Sequence, residues 1–142
     1  MNSSPRVSVV MPAFNVEKYI ERAVTSVLDQ SFTDLELIVV DDGSKDSTLE
    51  MVQTLAREDS RLKVIVQENA GRPSIARNRG IARSTGEYLA FLDSDDFWFP
   101  NRVEMMVSGL DQHPEWAAAF HDLKFVAEDG SDLGHTSLAD AE

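Results

Sequence analysis

The segment Asp93-Ser94-Asp95-Asp96 puts three carboxylates within four residues, directly after the apolar run Tyr88–Leu92. Like charges this close repel one another, and a hard divalent cation with oxygen ligands relieves the repulsion. The alternative is a solvated acidic loop that starts the next helix. A second acidic step, Asp41-Asp42-Gly43-Ser44, follows the run Leu35–Val40. One carboxylate at such a place can accept hydrogen bonds from a nucleobase N–H or a ribose hydroxyl, or Asp-Gly can simply reverse the chain. Arg72, Arg77, Arg79 and Arg83 gather four of the thirteen cations within twelve residues. Beside the turn Asn69-Ala70-Gly71, Arg72 would stand at a helix start, where backbone N–H groups and guanidinium forks attract phosphate. Arg79 and Arg83, four apart, are expected on a solvated outer face. Phe14, in Pro12-Ala13-Phe14-Asn15, can stack on a base or serve as a lid on the core.

These residues need elements to hold them. Arg6–Met11, Leu35–Val40, Lys63–Gln67 and Tyr88–Leu92 are short and apolar, as strands covered on both faces are, and Ala117–Val126 holds one or two more. Between them run helix-period segments: Val16–Gln30, with Asn15 as its cap, then Asp46–Arg57, Ser74–Ser84 after Pro73, and Asn101–Gln112 before Pro114. The alternation predicts an α/β fold, a parallel sheet with helices on both faces. Ligands of such sheets bind beyond the carboxyl ends of the strands. That edge carries Pro12–Asn15, Asp41–Ser44, Gln67–Arg72 and Asp93–Asp96. The polar stretch after Glu128 reads as a hairpin remnant or a frayed end.

Composition narrows the partners. The 142 residues carry 25 Asp and Glu against 13 Lys and Arg, a formal charge of −12, which disfavours nucleic acid and anionic membrane surfaces. With no cysteine, disulfides and thiolate metal sites are excluded, and a reducing cytoplasmic location is expected. The apolar runs fall far short of the ~20 residues that span a bilayer, which leaves peripheral membrane association open. Neither G-x-G-x-x-G after the first strand nor G-x-x-x-x-G-K-[ST] anywhere occurs, so phosphate neutralisation is expected to fall to a metal. A phospho-acceptor signalling domain fits poorly, because the acid pair follows the second strand rather than the first and Lys124 lies inside an expected strand.

An anion-binding turn, an acid cluster suited to a metal and a base-sized recess on one sheet edge describe a nucleoside diphosphate site. The blocks Val7–Asn15, Asp41-Asp42-Gly43-Ser44, Asn69-Ala70-Gly71 with Ala76–Gly80, and Phe91–Asp96 resemble, in order and approximate spacing, the family 2 glycosyltransferases of GT-A fold. Gln112-His113-Pro114-Glu115 is similar to that family's helix end before its next strand. The resemblance implies that Phe14 and Asp42 hold the base of a nucleoside-diphosphate sugar, most simply a UDP-sugar, with Pro12 and Ala13 shaping that wall. It implies that Arg77 reaches the base or diphosphate, that Asp93 contacts the ribose, and that Asp95 or Asp96 binds Mg²⁺ or Mn²⁺. It further implies inverting transfer to a glycan or lipid-linked acceptor hydroxyl in polysaccharide biosynthesis. None of His113, His121 or His135 matches the family's general base, which is expected beyond Glu142. Residues 1–128 are then the donor-binding domain, and 129–142 a polar tail or the start of the acceptor region. A non-catalytic binding module of the same fold is the alternative.

Overall fold

The computed structural model describes residues 4–127, 129 and 131–136. Contacts divide the chain within its fourth helix into two compact units, Met1–Met105 and Met106–Glu142. The first unit alternates strand and helix: β1 (Val7–Ala13), α1 (Ile20–Leu28), β2 (Leu35–Asp41), α2 (Thr48–Glu58), β3 (Leu62–Val66), α3 (Pro73–Ile81) and β4 (Tyr88–Phe91). The fourth helix, α4, covers Arg102–Gln112.

The four strands form one parallel sheet in the order β3-β2-β1-β4. The chain runs outward from β1 through β2 to β3 and then returns to β1's other side, so the order reverses between β1 and β4. Crevices at such reversals, outside the carboxyl ends of the strands, are where open α/β sheets bind ligands. Every residue of β1 and β2 is buried, as central strands covered on both faces must be.

Alternation along the strands divides the core. Ile38 and Val40 pack against Ala76 of α3, and Val10 and Val40 crowd the α carbon of Gly80. The alternate set, Val9, Met11, Leu37 and Val39, is fully buried on the opposite face, where α1 and α2 pack on one another and on β2. Helices thus cover both faces, as the alternating pattern requires.

Several elements differ from the sequence expectation, three of them in ways that bear on the sheet and its loops. β1 continues two residues past Met11, and Pro12 and Ala13 pair with Val40 and Asp41. Proline is tolerated there because even-numbered β1 residues point their peptide groups towards β4, and that ladder ends where Leu92 N–H meets the Val10 carbonyl at 3.2 Å. The first helix starts at Ile20 rather than Val16, and the amides of Asn15, Val16 and Glu17 are held by Ser44 Oγ, Thr48 Oγ1 and Asp46 Oδ2 at 3.1, 2.9 and 3.2 Å. Asn15 itself has φ of 52°, a left-handed conformation that cannot cap a helix entered from extended backbone.

The third correction lies in the second unit. The strand expected within Ala117–Val126 does not extend the parallel sheet. It is β5 (Lys124–Val126), paired antiparallel with β6 (Asp132–Thr136) in a separate two-stranded sheet. The turn closes locally: Ala127 N–H donates to the Ser131 carbonyl at 2.8 Å, Ser131 N–H to Asp129 Oδ1 at 2.8 Å, and Lys124 pairs with Asp132 at 2.7 Å. Of the hairpin remnant and the frayed end that the polar stretch suggested, a hairpin is formed as far as Thr136, while residues 137–142 lie outside those described. In this unit His113 stacks on Trp116 at 3.9 Å, and His121 Nδ1 lies 2.7 Å from the Asp122 carbonyl.

At the amino ends of the strands, one buried network fixes the sheet's lower edge. Glu36, 3% exposed, accepts from Ser8 Oγ at 2.6 Å, from Thr85 N–H and Oγ1 at 2.9 Å each, and from Lys63 Nζ. Burial alone would raise this carboxyl's pKa, but Lys63, Ser8 and Thr85 together outweigh it and lower the pKa to about 2. An acid whose folded pKa is depressed stabilises the fold above its unfolded pKa and loses that contribution as pH falls through the folded value. The stabilisation is thus complete above about pH 4.5 and fades towards pH 2. Lys63 is half-exposed, so screening leaves on the order of 2 kcal/mol. Urea denaturation of Glu36→Gln at pH 7 and pH 3 is expected to show a large loss at pH 7 and a much smaller one at pH 3; an equal loss at both would refute the charged network.

Candidate functional site

Four loops meet the carboxyl edge of the sheet, and each is fixed by bonds that single-sequence reasoning cannot see. After β2, Asp41 is fully buried, and its Oδ2 accepts the N–H groups of Gly43 and Ser44 at 3.1 Å each, closing the turn. Its Oδ1 has no hydrogen-bond partner among the described residues. Gly43, at φ of 75°, lies so close to the loop after β3 that a Cβ there would stand 2.9 Å from Asn69 N. Only glycine satisfies both the left-handed backbone and the approach.

Asp42, 6% exposed, turns towards that neighbouring loop. Its Oδ1 accepts from the side-chain amide of Gln67 and from Ala70 N–H at 2.9 Å. Gln67, 9% exposed, in turn accepts at Oε1 from Arg79 Nη1 at 3.4 Å. Arg79 thus reaches the loop after β3, although its spacing from Arg83 suggested only a solvated face. The sequence placed Gln67 at the end of the third strand without giving it this task; the signal available was a polar residue directly after an apolar Val-Ile-Val run.

The loop after β1 is stitched to the start of α2. Besides the three amides already described, Lys45 N–H donates to Asn15 Oδ1 at 2.8 Å and Ser47 N–H to Glu17 Oε2 at 2.9 Å. Ser44 consequently braces the β1 loop. Phe14 stands half-exposed on this braced loop, at 45%, while Pro12 and Ala13 are buried within β1. Phe14 is therefore a lid-side ring and not a core side chain.

The turn Asn69-Ala70-Gly71 is less free for an anion than its sequence suggests. Ala70 N–H is given to Asp42 and Gly71 N–H to Asn69 Oδ1 at 2.9 Å. Arg72, at the N-cap of α3, is exposed and makes no side-chain capping bond. Arg77, one turn further along, forms an ion pair with Asp93 across the edge.

The acidic loop itself is a tight turn: Asp96 N–H donates to the Asp93 carbonyl at 3.0 Å, Ser94 is buried, and Asp93, Asp95 and Asp96 face solvent. Asp96 has its pKa raised, by partial withdrawal from water first and then by the charges of Asp95 and Asp93. The segment that follows is anchored firmly. Trp98, 6% exposed, donates its backbone N–H to Ser26 Oγ at 3.1 Å, and its ring lies under the Arg102 guanidinium at 3.9 Å. Burial lowers the Arg102 pKa to about 10. Gln30 of the α1 end bonds the Phe99 carbonyl at 2.7 Å and Val103 N–H at 2.9 Å. Trp98 is thus a buried anchor, while Phe99 stays exposed at 56%.

The donor set suits a hard cation in part. All three side chains offer carboxylate oxygens, and the charges of Asp95 and Asp93, which add to burial in raising the Asp96 pKa, are the repulsion a cation would relieve. Among the described residues no three acidic or histidine side chains already converge on one point. Mg²⁺ is commonly held by one or two carboxylates with a ligand's phosphates and waters completing the shell.

Residues 8–132 match the family model described as glycosyl transferase family 2, and the chain belongs to that family. It is 40% identical over 133 residues to the putative teichuronic acid biosynthesis glycosyltransferase TuaG of Bacillus subtilis, covering 93% of this chain and 52% of that protein. It is 41% identical over 102 residues to the UDP-Glc:alpha-D-GlcNAc-diphosphoundecaprenol beta-1,3-glucosyltransferase WfgD of Escherichia coli, covering 72% and 40%. Among solved structures, S. aureus TarS 1-349 in complex with UDP superposes with a TM-score of 0.72 at 36% identity, over 77% of this chain and 33% of that one. The mannosyltransferase PcManGT of Pyrobaculum calidifontis, in complex with GDP-Man and Mn²⁺, gives 0.63 at 30% identity, over 77% and 33%. The fold is of the GT-A type. The chain spans about half or less of the length of these relatives.

Proposed function

We propose that this chain is the donor-binding part of an inverting glycosyltransferase, taking a nucleoside-diphosphate sugar together with Mg²⁺ or Mn²⁺. The observation that carries the reading is the meeting, on one sheet edge, of the braced acceptor Asp42 with the Arg77–Asp93 pair and the charged turn behind it. TarS bound to UDP and PcManGT bound to GDP-Man with Mn²⁺ support it through likeness of fold.

On this reading Phe14 stacks on the base and Asp42 accepts from its edge, with Pro12 and Ala13 as the fixed strand end beneath. Asp93 accepts from ribose hydroxyls, and Arg77 holds the diphosphate once it is free of Asp93. Asp95 and Asp96 hold the metal, which when bound supplies positive charge to the phosphates as negative charge develops on the departing nucleoside diphosphate. The remaining task of these residues is to orient the anomeric carbon towards an acceptor hydroxyl. Deprotonation of that hydroxyl is assigned to none of the residues described.

The test is thermal unfolding with UDP, GDP, dTDP and CDP, with Mn²⁺ or with EDTA. Ligand at about a hundred times its Kd adds roughly 2.7 kcal/mol, so Tm is expected to rise on the order of 10 °C with Mn²⁺. EDTA is expected to abolish most of that rise. Asp95→Ala removes an exposed side chain at little cost to the fold and is expected to abolish the difference between Mn²⁺ and EDTA. Equal stabilisation in EDTA would overturn the metal assignment, and no stabilisation by any nucleotide would overturn the donor site.

A further inference from the structure

We propose that Gln67 is the positioning residue that sets which bases this site accepts, by holding Asp42 as a pure hydrogen-bond acceptor, and that Arg79 locks Gln67 in the orientation this requires. The proposal rests on the donor-site reading above and concerns how its base wall discriminates.

The side-chain amide of Gln67 has one donating and one accepting end, and its two neighbours leave it no choice. A guanidinium only donates, so Oε1 must face Arg79; Asp42 Oδ1 already accepts Ala70 N–H, so Nε2 must face Asp42. Reversal would set an amide oxygen against a carboxylate oxygen and an NH₂ against a guanidinium. With Gln67 fixed, Asp42 Oδ1 receives two N–H groups, from Gln67 and from Ala70. Two donors on Oδ1 hold the carboxylate in place and leave Oδ2 as the oxygen that meets a ligand.

A base whose ring nitrogen meets this oxygen must carry a hydrogen there. Uracil does so at N3 and guanine at N1, whereas cytosine carries a lone pair at N3 and is repelled. A buried polar group left unpaired by the wrong ligand gives far stronger discrimination than a change of shape. Arg79 stands two residues from Arg77 on α3, so the helix that reaches the acidic loop through one arginine also holds the base wall through another.

The test measures Kd for UDP, GDP and CDP by titration calorimetry with Mn²⁺ on the wild-type chain, Gln67→Glu and Arg79→Met. Wild type is expected to favour the better of UDP and GDP over CDP by roughly 30-fold or more. Gln67→Glu keeps the size but sets a second carboxylate against Asp42, so the pair shares a proton and Asp42 becomes a donor part of the time. Its ratio is expected to shrink to about 5 or less, through both weaker UDP or GDP binding and stronger CDP binding. Arg79→Met removes the donor on Gln67 Oε1 and leaves the amide held from the Asp42 side alone, which is expected to narrow the ratio about threefold; being exposed, it carries the test if Gln67→Glu does not fold.

Uniform weakening with the ratio unchanged in both variants would make Gln67 merely structural and overturn the proposal. Wild-type binding without preference would do the same while leaving the donor site standing. A wild-type chain that binds no nucleoside diphosphate would overturn both.

Discussion

Asp42→Asn is expected to cut the affinity for UDP roughly 30- to 150-fold while lowering Tm by only a few degrees. The substituted amide keeps an oxygen for Gln67 Nε2 and Ala70 N–H, so the loop after β3 retains its anchor. Those bonds lose their charge assistance, which costs about 1 kcal/mol. On the ligand side the change is a reversal of polarity. An NH₂ now stands where Oδ2 was and faces the N–H of the base, so a charge-assisted bond of about 2–3 kcal/mol is replaced by two opposed donors. The Mn²⁺ requirement is expected to persist in whatever binding remains, because the Asp93 loop is untouched. Titration calorimetry with and without EDTA separates the two ends of the site, and an unchanged Kd would remove Asp42 from the base wall.

Much of this site was readable because its parts announce themselves locally. Valine-rich runs punctuated by Asp41-Asp42-Gly43 and Asp93–Asp96 state both a strand and the polar loop at its end, and parallel alternation then puts those loops on one edge. The resemblance to the family added roles to positions already singled out. What the sequence withheld are the ties between loops distant in sequence. Nothing within Asn15, Val16 and Glu17 shows that the side chains of Ser44, Thr48 and Asp46, about thirty residues away, hold their amides. Ala70 and Gly71 look like a phosphate nest until Asp42 and Asn69 are found on them. Gln67 looks like the end of a strand, because nothing within its own segment shows that its amide meets Asp42 on one side and Arg79 on the other. The second unit misled for the converse reason: the apolar residues of Ala117–Val126 have strand composition, but their partner is the nearby polar Asp132–Thr136 and not the main sheet. Strand propensity carries no statement of which edge a strand joins.

Gly80→Ala is expected to destabilise the chain and weaken the donor site together, because one close approach serves both. A Cβ at Gly80 would stand 2.4 Å from Val10 Cγ1 and 3.3 Å from Val40 Cγ2. Both valines are fully buried in central strands and β-branched, so neither can turn aside. Overpacking costs about 3 kcal/mol, against about 1 kcal/mol gained from alanine's better helix propensity, for a net loss of about 2 kcal/mol and a fall in Tm of roughly 7 °C. The relief available is for α3 to lift from the sheet, and α3 carries Arg77 to Asp93 and Arg79 to Gln67. UDP affinity is therefore expected to fall about tenfold in a protein that is still folded at 20 °C. The same exchange at Gly109, within α4, separates crowding from propensity. There a Cβ would meet only the Trp116 ring, at 3.8 Å, an ordinary contact. Gly109→Ala is accordingly expected to raise Tm by a few degrees and leave UDP binding unchanged. Differential scanning calorimetry of the two variants settles the comparison: a rise in both would mean that α3 is free to shift without cost, and the tight seat of Arg77 and Arg79 on the sheet would lose its physical basis.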